Sequence, residues 1–237
     1  MTKQLGLVIL AVAAVLWTPF LAAEDTVESI EKAVVEQWEK LNSVSATFDL
    51  VADVVLNPEV GKPVHVIGGG SADYLKKGDK RPSRVEAWVG TNPEFKMAQA
   101  KVVSDGTTAH VETTVFGNVN TETVDVSAVA VGGKELFAQA RKHLDLSAMP
   151  STKIDDKDVY VLEGTPKDQN ADIPVKKVRG YFAIATGIPL KISLFDGSGT
   201  EMGTVTMMDI NINQELSDSL FVYVAPAPPA PKPAEPK

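Results

Sequence analysis

Apolar and polar residues follow a helical period near the N-terminus and a period of two over most of the remaining chain. Apolar residues spaced by three and four positions predict an amphipathic helix over Thr26 to Leu41. Asp25 and Glu28, three residues apart, fit a capping box at its start. From Ser45 onwards apolar and polar residues alternate, which predicts a half-buried antiparallel strand.

The alternating pattern predicts about eleven strands in all, separated by turn residues. After the first strand they are residues 63–75, 84–89, 96–103, 107–116, 119–126, 158–164, 176–185, 190–195, 202–213 and 219–224. A second helical pattern begins at Gly133 and reaches Leu144. Gly68, Gly69 and Gly70 lie inside a predicted strand and lead into another strand, so they favour a sharp bend of the sheet over a phosphate-binding loop.

Strands in meander order predict an α+β fold that is mainly β. We expect a single strongly curved antiparallel sheet of roughly eleven strands, an unclosed barrel covered by a few helices. Periodicity alone fits a packed sandwich equally well. One face of the sheet is apolar, and its expected lining includes Phe48, Leu50, Val54, Ile192 and Ile210.

The two ends of the chain differ in composition from the predicted domain at residues 24–224. Lys3, an apolar run from Leu5 to Leu16, Pro19 and the small residues before Glu24 predict a secretory signal peptide over residues 1–23. An uncleaved membrane anchor fits the same length. Either way the remainder is expected to be exported. Residues 225–237 are rich in Pro and Ala and predict a disordered tail.

Composition narrows the classes of partner. The chain has 237 residues, a net charge of −8 and no cysteine. An acidic chain without a basic stripe is a poor nucleic-acid binder, because neutralising phosphates requires clustered Lys and Arg. An exported domain without disulfides depends on its core and its sheet ladder for stability.

Candidate catalytic and metal-binding residues are sparse. The histidines are scattered without partners at a telling spacing: His65, His110 and His143. The acidic turn at residues 155–158 lacks the length and the terminal glutamate of a calcium loop, so it is interpreted as a solvated turn. We therefore expect neither an enzyme nor a bound cofactor or metal.

Four segments occur in a distinctive order: Lys80-Arg81-Pro82, Val103-Ser104-Asp105-Gly106, residues 185–191 and residues 220–226. In this order they resemble the periplasmic outer-membrane lipoprotein carrier family, the LolA-like proteins. The resemblance implies a monomeric periplasmic carrier or chaperone that shields the acyl chains of lipoproteins, or related lipids, in an apolar cavity. Its implied partners are lipidated or lipid cargo, with a membrane-bound donor and receptor. A sensor or regulatory module of the same fold is the alternative.

The resemblance also implies site residues. The arginine of the family's Lys-Arg-Pro turn is implicated in handing the cargo onward, and Arg81 matches it. Residue types alone favour a solvated turn that keeps a sheet edge soluble. The helix at Leu136 to Leu144 and the N-terminal helix are the expected lid. The expected cargo contacts are Arg81, Trp38, Phe48, Leu50, Val54, Val85, Phe137, Ile192 and Ile210.

Overall fold

The structure is a computed structural model, which describes residues 25–54, 62–126, 132–168 and 174–225. The predicted signal peptide and residues 226–237 of the predicted tail lie outside the described residues. Among the helices described, none has both the length and the apolar character needed to cross a bilayer.

Two α-helices form where the helical period predicts them, α1 (Val27–Trp38) and α2 (Gly133–His143). The capping box of α1 lies one residue further along than predicted. The Thr26 hydroxyl accepts from the Ser29 amide at 3.1 Å, and the Ser29 hydroxyl accepts from the Thr26 amide at 2.9 Å. Two small hydroxyl side chains therefore satisfy the first amides of the helix.

Eleven strands form one antiparallel sheet in the order β6-β5-β4-β3-β2-β1-β11-β10-β9-β8-β7. They are β1 (Ser43–Val54), β2 (Val64–Leu75), β3 (Ser83–Asn92), β4 (Phe95–Ser104), β5 (Thr108–Val115), β6 (Asn118–Asp125), β7 (Leu144–Ile154), β8 (Lys157–Pro166), β9 (Lys177–Ala183), β10 (Pro189–Phe195) and β11 (Glu201–Ile212). In the described part β6 and β7 are the edge strands, so the barrel is unclosed. The predicted fold class is confirmed.

Two strand assignments are corrected. The strand Leu144–Ile154 was not predicted, because Pro150 interrupts its alternation. It is an edge strand, where a residue without an amide hydrogen is tolerated. The strand predicted at residues 219–224 is wrong. A 3-10 helix, Asp218–Phe221, stands there, with Ser217 as its N-cap and Phe221 buried.

The glycines of β2 permit a close approach of β3. A Cβ atom on Gly68 would lie 2.4 Å from the Trp88 carbonyl oxygen. On Gly70 it would lie 1.9 Å from the Glu86 carbonyl oxygen and 2.7 Å from the Phe48 ring. Distances this short exclude any side chain, which accounts for glycine at a tightly curved part of the sheet.

The main core lies between the helices and the β7–β9 part of the sheet. Its buried members are Ile30, Val34, Phe137, Leu162 and Phe182. A second cluster surrounds the end of α1 and comprises Leu41, Val44, Tyr74 and Ile188. The helices therefore cover the β7–β9 part of the sheet's inner face, which is the face that they pack against.

Candidate ligand-binding face

One row of residues crosses ten strands on the helix-facing side of the sheet. Each member pairs with the next across neighbouring strands, and all are apolar or glycine: Ala148, Leu162, Gly180, Ile192, Val205, Leu50, Gly68, Val89, Ala98 and Val115. We call this set the apolar row. Since opposed residues in an antiparallel sheet point to the same face, the row forms one continuous hydrophobic surface.

The other face carries a different row. One residue before Leu50 in β1, the paired positions run Lys191, Thr206, Asp49, Gly69, Trp88, Gln99 and Thr114. Most of these side chains are polar. Beyond Lys191 this row continues through Tyr181, Val161 and Met149, which belong to a buried apolar cluster, so the two faces contrast over strands β10, β11 and β1–β5.

The apolar row is only partly covered by the protein's own residues. Leu162 is 4% exposed beneath α1, and Val115 at the opposite end is 48% exposed. Leu50, Val89, Ile192 and Val205 are half-buried. Side chains of this kind in a filled core are fully buried, so this face keeps apolar surface available to a ligand.

Next to this row an apolar cavity of about 160 Å³ lies under the helices. Its walls come from α1, α2 and strands β1, β2, β3, β10 and β11, and include Trp38, Val44, Ala46, Ala72, Tyr74, Val85, Leu136, Ile188 and Met207. The cavity therefore lies between the helices and the sheet, and its walls extend the apolar surface of the row.

Arg81 lines a separate, more polar pocket of about 230 Å³. Trp38, Tyr74 and Gly132 line both this pocket and the apolar cavity, so they form the wall between them. The rings of Trp38 and Tyr74 meet edge to face, with centroids 5.3 Å apart. Burial raises the pKa of Tyr74 to about 12, against the lowering effect of the nearby Arg81 charge, so its hydroxyl is neutral at physiological pH.

The β2–β3 turn carries Lys76, Lys77, Lys80 and Arg81, and we call it the cationic turn. It is attached to the C-terminal end of α1. Glu39, the C-cap residue, accepts from Lys76 Nζ at 3.2 Å and from Arg81 Nη2 at 3.3 Å. Lys76 also donates to the Glu39 carbonyl at 2.7 Å. The hydrogen bond from Lys76 holds the pKa of Glu39 below its ordinary value; slight burial opposes the shift, and the Arg81 charge adds to it. Cations here also complement the helix dipole.

The motifs that carry the family resemblance converge on this end of the molecule. Gly106, at a φ of +85°, packs against the Lys80-Arg81-Pro82 turn: a Cβ there would lie 2.7 Å from the Arg81 nitrogen. Gly187, at a φ of +70°, packs against α1: a Cβ there would lie 2.7 Å from the Val34 carbonyl oxygen. Both turns need the left-handed conformation that glycine adopts without strain.

The predicted site residues occupy different environments. Trp38 and Val85 line the apolar cavity, whereas Leu50 and Ile192 belong to the apolar row. Phe48 lies beside that row, with its ring close to Gly70. The rest are elsewhere: Arg81 in the polar pocket, Phe137 in the core at 2% exposure, Ile210 against two buried clusters, and Val54 at the last position of β1.

Sequence reasoning did not single out Tyr74, Ile188 or Met207 as cavity residues, nor Val89 and Ala98 as members of the apolar row. Alternation within each strand indicates which residues share a face. It does not indicate which of them meet across the sheet or under a helix. In the described residues there is also no group of three or more side chains suited to a metal ion.

The fold and this face define a class, an open antiparallel barrel with an apolar inner surface. No family model and no curated protein matches the chain. Among solved structures, a conserved protein from Thermus thermophilus matches with 11% identity and a TM-score of 0.49, over 81% of this chain and 93% of that one. A LolA superfamily protein from Nitrosomonas europaea matches with 15% identity and a TM-score of 0.35, over 84% and 98%.

The Pseudomonas aeruginosa MucA/MucB complex also matches, with 15% identity and a TM-score of 0.44, over 82% of this chain and 61% of that one. The LolA superfamily, to which the sequence motifs pointed, is thus among the structural matches. At these identities the likeness concerns the fold alone. The function is therefore inferred from the chain's own residues.

Proposed function

We propose that this protein binds acyl chains on its apolar row and in the adjoining cavity, and acts as a periplasmic carrier or chaperone for lipoproteins or related lipids. The observation that carries the proposal is the apolar row, which is continuous over ten strands and only partly buried over most of its length. A binding site for hydrocarbon needs such a surface, because burial of apolar area supplies nearly all of the affinity.

The magnitudes favour a carrier that hands its cargo over by contact. Burying one methylene group stabilises a complex by about 0.8 kcal/mol, so a sixteen-carbon chain contributes roughly 12 kcal/mol before any costs. A cargo with several such chains would dissociate into water very slowly. An open, aliphatic and only partly covered face moderates this affinity, because one side of the hydrocarbon stays uncovered.

The attachment of the cationic turn to α1 suggests a role for Arg81. In the proposal, Arg81 holds the end of the helix beside the wall formed by Trp38 and Tyr74. We expect Arg81→Leu to fold normally and to change the rate at which cargo is released. Lys77→Leu is the matched control, since Lys77 lies in the same turn and pairs with Asp218 instead. If both variants load and unload like the parent, Arg81 is only a surface turn.

Two measurements test ligand binding. The first is mass spectrometry of an organic extract of the purified protein, which should contain acyl lipid. The second compares Ala98→Glu with Gln99→Glu, neighbours that face opposite sides of the same strand and receive the same charge. A carboxylate on the apolar row should weaken binding of a fluorescent fatty acid about tenfold or more, because it must lose its hydration. The control should bind within about twofold of the parent.

Equal binding by the two glutamate variants would place the ligand elsewhere and contradict the proposal. An extract without acyl lipid, from a protein that also fails to bind the fluorescent probe, would do the same. Recovery of a regulatory protein in a pull-down, without lipidated proteins, would favour the sensor module over the carrier.

A further inference from the structure

Two hairpin turns place exposed apolar side chains at one end of the sheet. The β3–β4 turn carries Phe95, 55% exposed, and the β5–β6 turn carries Phe116, 70% exposed, between Val115 and Val119 at 48% and 56%. In an antiparallel meander these two turns lie at the same end, and the Phe116 amide donates to the Met97 carbonyl of the neighbouring strand at 2.9 Å. We call Phe95, Val115, Phe116 and Val119 the tip patch; Val115 lies on the inner face of its hairpin, and Val119, which pairs with Thr114, lies on the outer face.

The backbone at Phe116 is unusual for its side chain. Val115 pairs with Asn118, so Phe116 and Gly117 form a two-residue turn, with φ angles of 46° and 81°. Positive angles at both positions are typical of a type I′ turn, which Asn-Gly favours most strongly. A bulky residue with positive φ is strained, yet this one also exposes most of its ring. Local folding physics therefore does not account for Phe at this position.

The tip patch is continuous with the apolar row, because Val115 belongs to both. It lies at the end of the sheet opposite Arg81, since the β2–β3 turn and the β5–β6 turn close opposite ends of their strands. The apolar surface of the inner face therefore extends from the cavity under the helices to the tip patch.

We propose that the tip patch is a membrane-docking surface, which inserts its side chains into the interfacial region of a zwitterionic bilayer. Four exposed side chains on two turns make a small patch, whereas a stable protein interface buries roughly 800 Å² per partner. Shallow insertion into a bilayer needs only a few apolar tips. The charges next to Phe95 are mixed, Glu94 and Lys96, so attraction to anionic lipid contributes little.

Docking through the tip patch would bring bilayer hydrocarbon to the end of the apolar row, so that an acyl chain passes from the bilayer to the row without crossing water. This loading step rests on the proposed acyl binding, whereas docking does not. The two proposals can therefore fail separately.

The test uses the full chain and phosphatidylcholine vesicles. Phe116→Asn creates the preferred Asn-Gly turn, so it should fold at least as well as the parent while its vesicle partition coefficient falls about tenfold. It should bind the soluble fatty-acid probe like the parent. Ala98→Glu should show the converse, with docking unchanged and probe binding weakened. Adding phosphatidylglycerol should not strengthen docking.

A site-specific label gives an independent measurement, because the chain contains no cysteine. An environment-sensitive fluorophore on Val119→Cys should shift to the blue with vesicles, and one on Asp79→Cys, at the opposite end, should not. Equal partition of the parent and Phe116→Asn, or equal shifts of both labels, would overturn the proposal. So would a concentration-dependent dimer of the parent that Phe116→Asn abolishes, because the patch would then bind a second copy.

Discussion

The indole nitrogen of Trp38 donates a hydrogen bond to the carbonyl of Gly187 at 3.1 Å, across 149 positions of sequence. The same indole meets the ring of Tyr74 edge to face. Gly187 lies in the β9–β10 turn and Tyr74 lies in β2. One side chain at the end of α1 therefore joins two distant parts of the sheet and closes the apolar cavity between them.

Trp38→Phe should lower the free energy of unfolding by about 1 kcal/mol, because it removes a part-buried hydrogen bond and keeps an aromatic ring. Urea unfolding followed by circular dichroism measures this loss. Trp88→Phe, on the opposite face of the sheet, reports the effect of an indole-to-phenyl change without that bond. A loss no larger at Trp38 than at Trp88 would show that the bond to Gly187 does not stabilise the fold.

Gly187→Ala and Gly199→Ala form a matched pair. Both glycines have positive φ, +70° and +82°, so each alanine should cost about 1–2 kcal/mol from the left-handed backbone. A Cβ on Gly187 would also lie 2.7 Å from the Val34 carbonyl oxygen, whereas one on Gly199 meets no atom within 4 Å. We therefore expect Gly187→Ala to be the more destabilising by about 1–3 kcal/mol in chemical denaturation. Equal losses would mean that α1 can move away from this turn without cost.

The strands and helices were largely predictable because their periods are local. The apolar row was not, because it depends on the registers between ten strands, and a slip of one residue would move a strand's side chains to the other face. Bulges between Ser45 and Thr47, and between Met149 and Thr152, set parts of that register. Nothing in the local pattern of apolar residues marks them.

Two segments show why the local sequence pattern did not predict the observed secondary structure. Pro150 concealed β7, since proline argues against a strand unless the strand lies at an edge, and edge position is a property of the whole sheet. The apolar and aromatic run at residues 219–224 indicated a strand, but the Leu220 carbonyl accepts from Arg84 and Phe221 is buried. Tertiary contacts outweighed propensity at that point.

The link between Glu39, Lys76 and Arg81 should be sensitive to pH. Because the pKa of Glu39 is lowered in the folded state, its stabilising contribution is present above the ordinary pKa of a glutamate and is lost as the pH falls through the lowered value. Glu39→Gln should therefore destabilise the protein at pH 7, and by less at an acidic pH below the lowered pKa. The difference should be at most about 1 kcal/mol, since the Glu39 side chain is 56% exposed. A difference that is equal at both pH values would indicate that the carboxylate charge is not involved.

Phe137 distinguishes a core residue from a cargo residue. Its ring is stacked against Phe182 with centroids 5.7 Å apart, and it is 2% exposed. Phe137→Ala should cost about 3–5 kcal/mol of unfolding free energy, because it leaves a cavity between α2 and the sheet. Phe95→Ala, which shortens an exposed ring, should change stability by less than about 0.5 kcal/mol. The opposite result would be a Phe137→Ala variant that is nearly as stable as the parent but binds the fatty-acid probe more weakly. In that case α2 would move away from the sheet when ligand binds, and Phe137 would contact the cargo directly.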